Sequence, residues 1–249
     1  MTALGPVLRV EVGEGLRAIL REPAALVFSV LMPVGFYALF TSVFGRAADT
    51  GAGVPYAATT LATYGTFGVV SVMLLNPGIG VADDRNRGWL RVKMVSATPL
   101  PITLAARVLA ALPYALGVVL AISGVSLLIT GPVLDLGSWL RLVAVLLVGS
   151  LPFALFGMAV GVVASSGAAA AVLNALLFPM VLASGLWIPL ELLPGWVQAV
   201  APWLPTYHLA ELAMAQLTGA PAAGHLLALL LTAAVGAGLA GAAYRNLRL

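Results

Sequence analysis

Long, uninterrupted runs of apolar residues dominate the sequence. Six of them have the roughly 20 residues that a helix needs to cross a bilayer, and they cover residues 24–44, 57–81, 104–130, 139–164, 169–188 and 223–243. The runs are continuous and do not alternate with a period of two, so they fit membrane helices and not a membrane β-barrel. The pattern predicts an all-α integral membrane protein with six transmembrane helices, forming one transmembrane domain over residues 1–249.

The overall composition supports the same class. The chain is 61% hydrophobic and only 8% charged, whereas soluble domains are about 25% charged. It contains no cysteine, which excludes disulfides, cysteine-ligated metal sites and thiol nucleophiles. The net charge of +3 is small, and we attribute it to the cytoplasmic side of a membrane protein, with no nucleic-acid partner.

The basic residues predict the orientation of the spans. Ten of the twelve Lys and Arg residues fall on the side of the membrane that holds both termini, and only Arg46 and Arg141 fall on the other. Cytoplasmic loops carry such an excess of Lys and Arg. The sequence therefore predicts a multi-pass protein of a bacterial plasma (inner) membrane with both termini in the cytoplasm.

Residues 6–22 have the pattern of an amphipathic helix on the inner leaflet. Four apolar residues recur at helical spacing on one face, and charged residues lie away from it; the apolar set is Leu8, Val12, Leu16 and Ile19. Glu14 and Arg17 are spaced for an ion pair, whereas Gly13 and Gly15 weaken the helix prediction. The alternative is a solvated leader with no role.

Residues 189–222 are apolar but too interrupted by proline to cross a membrane. We expect two short helices at the outer interface, anchored by aromatic side chains at headgroup depth. The breakers are Pro189, Pro194, Pro202, Pro205 and Pro221, and the aromatic residues are Trp187, Trp196, Trp203 and Tyr207.

The segment 82–101, between the second and third runs, holds six of the 21 charged residues. Asp83 and Asp84 suit the start of a helix, and Gly88 permits a turn. From Trp89 onward, apolar residues alternate with basic ones. The residues favour two interpretations about equally: an ordinary positively charged loop, or a helix that docks a cytoplasmic partner.

A family resemblance favours the second interpretation. Three short strings carry it: Asp84-Arg85, Gly88-Trp89-Leu90-Arg91 and Ala97-Thr98-Pro99. Together they resemble the coupling-helix segment of type 2 ABC exporter permeases. The likeness covers the whole chain, including the amphipathic N-terminal segment, the six spans and the broken outer segment, which forms re-entrant helices in that family. Many members carry Glu where Asp84 stands, so the reach of this carboxylate toward a partner differs.

The resemblance implies that the chain pairs with a second copy of itself or with a close homologue, and that each of the two docks a separate nucleotide-binding ATPase subunit. ATP and Mg would then be held by that subunit, with no cofactor or metal bound by this chain. The residues that would couple the two subunits are Asp83, Asp84, Arg85, Arg87, Gly88, Trp89, Leu90, Arg91, Lys93, Thr98 and Pro99.

The residues themselves place any ATPase in another chain. A phosphate-binding loop needs Gly-Lys-[Ser/Thr], and Lys93, the only lysine, follows Val92. The spans contain no acidic residue, which disfavours coupling to protons. The alternative function is a non-pumping six-span structural or regulatory protein. An intramembrane serine protease using Ser184 and His208 lacks the glycine two residues before the serine, and an aquaporin-like channel needs a second copy of Asn76-Pro77-Gly78.

Polar residues are sparse within the spans. Tyr37, Tyr64, Asn76 and Asn174 are candidates to line a translocation path, with hydrogen bonds between helices as the alternative. Such an interior suits hydrophobic or amphiphilic cargo, a drug-like molecule or a lipid, better than a polysaccharide. We expect Asn76-Pro77 to kink the second span, and Gly157-x-x-x-Gly161 to mark close helix packing.

Overall fold

The computed structural model describes residues 4–20, 23–48, 53–89 and 100–245. All regular structure in these residues is helical, which confirms the all-α prediction for them. Short 3₁₀ turns cover Leu190–Leu192 and Ala201–Trp203. The α-helices are α1 Leu4–Leu20, α2 Pro23–Ala48, α3 Tyr56–Asn86, α4 Leu100–Ile129, α5 Leu136–Gly149, α6 Leu151–Val163, α7 Ser166–Ala183, α8 Gly195–Val200, α9 Pro205–Thr218 and α10 Ala223–Arg245.

Five of the six expected spans are long and apolar enough to cross a membrane. They are Tyr56–Asn86, Ile102–Ile129, Leu136–Val163, Ser166–Ala183 and Ala223–Arg245. The third of these joins α5 and α6 across Ser150. The first expected span falls in α2, whose apolar part Val30–Gly45 is shorter, so a sixth span stays a prediction.

Helix α3 is the centre of the bundle. It is the most enclosed of the spans, with 78% of its most apolar window buried, against 17% for α10. Helices α2, α4, α6, α7 and α9 all pack on it. The outer helices expose leucines such as Leu128 and Leu230, which in a bilayer face lipid or another chain because the solvent there is itself apolar.

Glycines bring α6 directly onto the backbone of α3. A Cβ added at Gly157 would lie 2.0 Å from the carbonyl oxygen of Leu74, and one at Gly161 would lie 2.1 Å from that of Gly78. A Cβ cannot occupy either position without moving a helix. The prediction of close packing at Gly157-x-x-x-Gly161 is confirmed, and α3 is the partner helix.

The N-terminal segment forms a helix, α1, which continues through Gly13 and Gly15. The predicted ion pair is present, with Arg17 Nη1 2.7 Å from Glu14 Oε1. A Cβ at Gly15 would lie 2.8 Å from Ala110 Cβ on α4. Gly15 therefore allows the close approach of α1 to α4. Its place on the inner leaflet stays a prediction.

The broken segment 189–222 folds into short helices, and the longest of them, α9, is packed into the bundle; the place of the segment at the outer interface stays a prediction. Leu209 is fully buried, and its Cδ1 lies 2.4 Å from the Cβ position of Gly149, the last residue of α5. Trp196 and Trp203 are 72% and 86% exposed. Trp187 differs from its expected role as an anchor, because it packs edge-on against Phe36 and Phe67.

Candidate functional site

The predicted docking segment begins inside a helix. Asp83 and Asp84 were expected to start a helix, but they lie in the last turn of α3, which ends at Asn86. Gly88 has a φ of +76°, in the left-handed region that glycine adopts without steric cost, so the chain turns there. The span predicted to end at residue 81 continues because Asp84 has a partner on the neighbouring span.

That partner is Arg107 on α4, whose Nη2 forms an ion pair with Asp84 Oδ2. The two side chains are 17% and 16% exposed. The guanidinium lies across Gly80, where an added Cβ would be 2.5 Å from Arg107 Nη1. Gly80 and Asp84 are one turn apart, so a small residue clears the path along which Arg107 reaches the carboxylate.

The C-terminal end of α10 completes this cluster. Tyr244 is 5% exposed and packs with Val81 and Met158, near enough for the charges of Arg107 and Asp84 to act on its hydroxyl. Within the described part of the chain, that hydroxyl has no hydrogen-bond partner. Helices α3, α4 and α10 therefore meet around one ion pair.

Two further bonds tie the end of α3 to the junction of α6 and α7. Arg85 Nη1 donates to the carbonyl oxygen of Ala164 at 3.3 Å, and Asn86 Nδ2 donates to Ser166 Oγ at 2.8 Å. Movement at residues 85–89 would reach four spans through these contacts and the ion pair.

The remaining predicted coupling residues divide into two groups. Arg87 and Trp89 are exposed, with Trp89 55% exposed, as docking requires. Others lie outside the described residues, and their role stays a prediction; they are Leu90, Arg91, Lys93, Thr98 and Pro99.

Two of the four candidate path residues are buried and hydrogen-bonded to neighbouring parts of the bundle. The Tyr37 hydroxyl donates to Ser126 Oγ at 2.7 Å, and that of Tyr64 donates to the carbonyl oxygen of Trp187 at 3.4 Å. Both side chains are at most 1% exposed. The Tyr37 bond joins α2 to α4, which is the hydrogen bonding between helices that the sequence left open. The Tyr64 bond joins α3 to the bend that follows α7.

The other two, Asn76 and Asn174, line one cavity of about 340 Å³ between α2, α3 and α7. Each side-chain amide donates to its own helix, Asn76 to the carbonyl oxygen of Val72 and Asn174 to that of Ala170, which leaves each carboxamide oxygen for other partners. The rest of the lining is mostly apolar: Met32, Pro33, Phe67, Ser71, Leu75, Ile79, Leu177 and Phe178.

The opposite end of the bundle holds the residues of the protease alternative, and they do not form a catalytic pair. Ser184 Oγ hydrogen-bonds to Thr206 Oγ1, and both side chains are buried. His208 contacts His225.

At the same end of the bundle, Asp135 caps α5. Hydrogen bonds from the Ser138 hydroxyl and amide hold the pKa of Asp135 below its usual range.

Comparison with known proteins identifies a family. The family model for ABC-2 type transporters matches residues 8–218. The chain belongs to the ABC-2 type transporter family. It is also 28% identical over 196 residues to a protein of Bacillus subtilis (strain 168) named "Putative transport permease YvfS", covering 78% of each chain. This ABC-2 family member is accordingly a multi-pass membrane subunit of an ABC transporter.

Sequence reasoning missed the residues that hold the end of α3 in place. Arg107 was counted only as a basic residue near the cytoplasm, and Tyr244 and Ser166 were not singled out. A charged residue inside an apolar run is costly unless it is paired, so Arg107 at the start of an apolar span was the available signal. The sequence could not identify Asp84 as the partner of Arg107, because the two residues are 23 positions apart in the chain.

Proposed function

We propose that this chain is the transmembrane subunit of an ABC exporter that moves a hydrophobic or amphiphilic molecule out of the cell. The energy comes from ATP hydrolysed, with Mg, on a separate ATPase subunit docked at residues 82–101. The observation that carries the proposal is that one helix, α3, holds both the docking end and a wall of the cavity. Asn76 and Asp84 lie eight positions apart on it.

The exposed end of α3 is suited to receive force. Trp89 and Arg87 present an apolar anchor and a positive charge beyond the last turn, and buried aromatic anchors with charged rims are typical of docking contacts. Behind them, the Asp84–Arg107 pair and the Asn86–Ser166 bond join α3 to its neighbours. Movement of the docked ATPase subunit would therefore shift the packed helices together instead of bending a loop.

The cavity favours amphiphilic cargo. Most of its lining is apolar, and the polar groups at hand are two carboxamides and the Ser71 hydroxyl. Ser71 Oγ is already bonded to the carbonyl oxygen of Phe67. Pockets of this kind bind apolar ligands and use a few polar groups for orientation. None of the described lining residues is charged.

A second copy of the chain would complete the path. The cavity lies between α2 and α7, and both helices expose large apolar side chains beside it, including Leu31 on α2 and Leu176 on α7. Pairing across this face would enclose the cavity on its open side and leave the remaining surface to lipid. The basic end of the bundle then faces the cytoplasm with both termini.

Capture of the ATPase tests this proposal. We expect the tagged chain, solubilised from native membranes, to retain a soluble protein that carries a Walker A motif and hydrolyses ATP. Trp89→Ala should lower the captured amount by about tenfold, which corresponds to about 1.4 kcal/mol of docking energy. Mass spectrometry and ATPase assay of the eluate measure both.

Trp196→Ala is the matched control, because Trp196 is also an exposed tryptophan and lies at the other end of the bundle. It should capture the same amount as the unmodified chain. Recovery of a stable assembly that contains no ATPase would refute the exporter and support the structural or regulatory alternative.

A further inference from the structure

The two histidines of the chain lie against each other at the end of the bundle opposite Asp84. His208 is on α9 and His225 is on α10, and their Nδ1 atoms are 3.0 Å apart. Both are half-buried, and the ring of Tyr207 stands edge-on to each of them, with centroids 5.5 and 5.9 Å away. The chain has two histidines in all, so every imidazole it possesses is in this contact.

The number of bound protons decides whether the contact can exist. In the neutral pair, one Nδ1–H donates to the lone pair of the other Nδ1. One proton taken up from solvent preserves that bond, because a cationic ring donates to a neutral one and charge-assisted bonds are stronger. A second proton leaves two N–H donors and two positive charges facing each other, and the attraction becomes repulsion.

The fold makes double protonation costly. His208 lies in the first turn after Pro205, and His225 is the third residue of α10. The positive ends of two helix dipoles therefore converge on the rings and disfavour imidazolium. Burial and the charge of His225 lower the pKa of His208, and a hydrogen bond to the Pro202 backbone acts weakly in the other direction.

Other titratable groups surround the pair. On α9 these are Tyr207 and Glu211, and Glu191 lies in the turn before α8. Burial and the charges of these two carboxylates raise the pKa of Tyr207. Helices α3 and α5, which also pack on α9, carry Tyr56 and Arg141 near this end.

We propose that His208 and His225 form one shared proton-binding site that fastens α9 to α10 with one proton or none added, and releases it when both rings are protonated. Helix α9 is also held to the end of α7 by the Thr206–Ser184 bond and to α5 by Leu209. Release would therefore loosen the helix that joins three spans at this end.

The sign of the pH dependence follows from the lowered proton affinity. A group whose pKa is lower in the folded protein stabilises the fold above its ordinary value, 6.5 for histidine, and that stability is lost as the pH falls. The contact is thus closed at neutral pH and opens in acid. In the proposed exporter, this end of the bundle is the outer side.

Imidazole NMR tests the shared site directly. The full chain, labelled with ¹⁵N-histidine, purified through a tag without histidine and placed in lipid nanodiscs, gives signals from two rings only. We expect the two protons to bind in steps more than about tenfold apart in proton concentration, since one pKa unit is tenfold. Two rings that titrate independently, each unchanged by substitution of the other, would overturn the site.

Hydrogen exchange tests the release of α9. After correction for the intrinsic rate, we expect amides of residues 205–218 to lose about tenfold in protection between pH 7.5 and pH 5.0, while α6 keeps its protection. The double variant His208→Phe, His225→Phe keeps an aromatic pair that cannot titrate and should show no loss of protection. If the double variant does not fold, His225→Asn replaces it, because a single histidine cannot form a doubly protonated pair. An equal loss with and without the histidines would refute the proposal. Neither experiment involves an ATPase or a cargo, so failure here leaves the exporter proposal intact.

Discussion

At the scale of single residues, neighbouring aspartates have different roles that the sequence does not distinguish. Asp83 and Asp84 both follow an apolar run, and both were expected in a docking segment. The structure pairs Asp84 with Arg107 and tucks it against α4, so its first role is to hold spans together. Helical rotation of 100° per residue separates the two side chains, and only one of them faces α4.

Asp84→Asn should lower the thermal stability of the chain in detergent, whereas Asp83→Asn should leave it nearly unchanged. Removing one partner of a largely buried ion pair costs roughly 3–5 kcal/mol because the other charge remains, and about 16% exposure of Asp84 places the loss toward the lower figure. The apparent melting temperatures of the two variants give the comparison.

The double variant Asp84→Asn, Arg107→Gln provides the control for this pair. With both charges removed, the cost should be clearly less than the sum of the single losses, which is the mark of a direct interaction. Additive losses would show that the pair contributes nothing of its own.

At the scale of helices, α3 owes its central place to small residues on several sides. Gly78 receives α6, and a Cβ at Gly68 would lie 2.5 Å from Val118 on α4. Membrane helices gain little from apolar burial alone, so close backbone approach supplies much of their attraction. The glycine spacing could be read from the sequence, but the partner helix could not, because small residues occur on nearly every span.

Gly157→Ala should destabilise the bundle by about 1–3 kcal/mol, the usual cost of overpacking. Its new Cβ would meet the carbonyl oxygen of Leu74, a backbone atom that cannot turn aside. Thermal stability and the yield of monodisperse protein measure the effect. In contrast, Gly117→Ala on α4 meets nothing within 4 Å and should be neutral or stabilising, since alanine favours helix. Equal behaviour of the two variants would contradict the close α3–α6 contact.

At the scale of the whole molecule, the contacts sort the helix ends into two groups. Asp84, Arg107 and Tyr244 meet at one end, and Thr206, Ser184 and the histidine pair meet at the other. This sorting matches the alternation expected of consecutive spans. Charge predicts which end faces the cytoplasm, since the basic residues cluster near the first group.

Cysteine labelling measures that orientation, and the chain has no native cysteine to interfere. In intact cells, Ser138→Cys should react with a membrane-impermeant maleimide, because residue 138 lies just beyond the Asp135 cap at the start of α5. Asn86→Cys, at the end of α3, should react only after permeabilisation. The reverse pattern would invert the proposed topology, and labelling of both sites in intact cells would contradict the sorting of the ends.

The sequence by itself determined the class of protein, the positions of most spans, the helix-packing glycines and the family resemblance. These follow from local properties: apolar length, charge distribution and residue spacing. Only the tertiary structure decided that Asp84 pairs with Arg107, that Tyr37 and Tyr64 are buried and hydrogen-bonded while Asn76 and Asn174 share a cavity, and that the two histidines meet. These contacts join residues far apart in the chain, and which side chains meet depends on the rotation and depth of each helix, which packing fixes and a hydrophobic pattern leaves open.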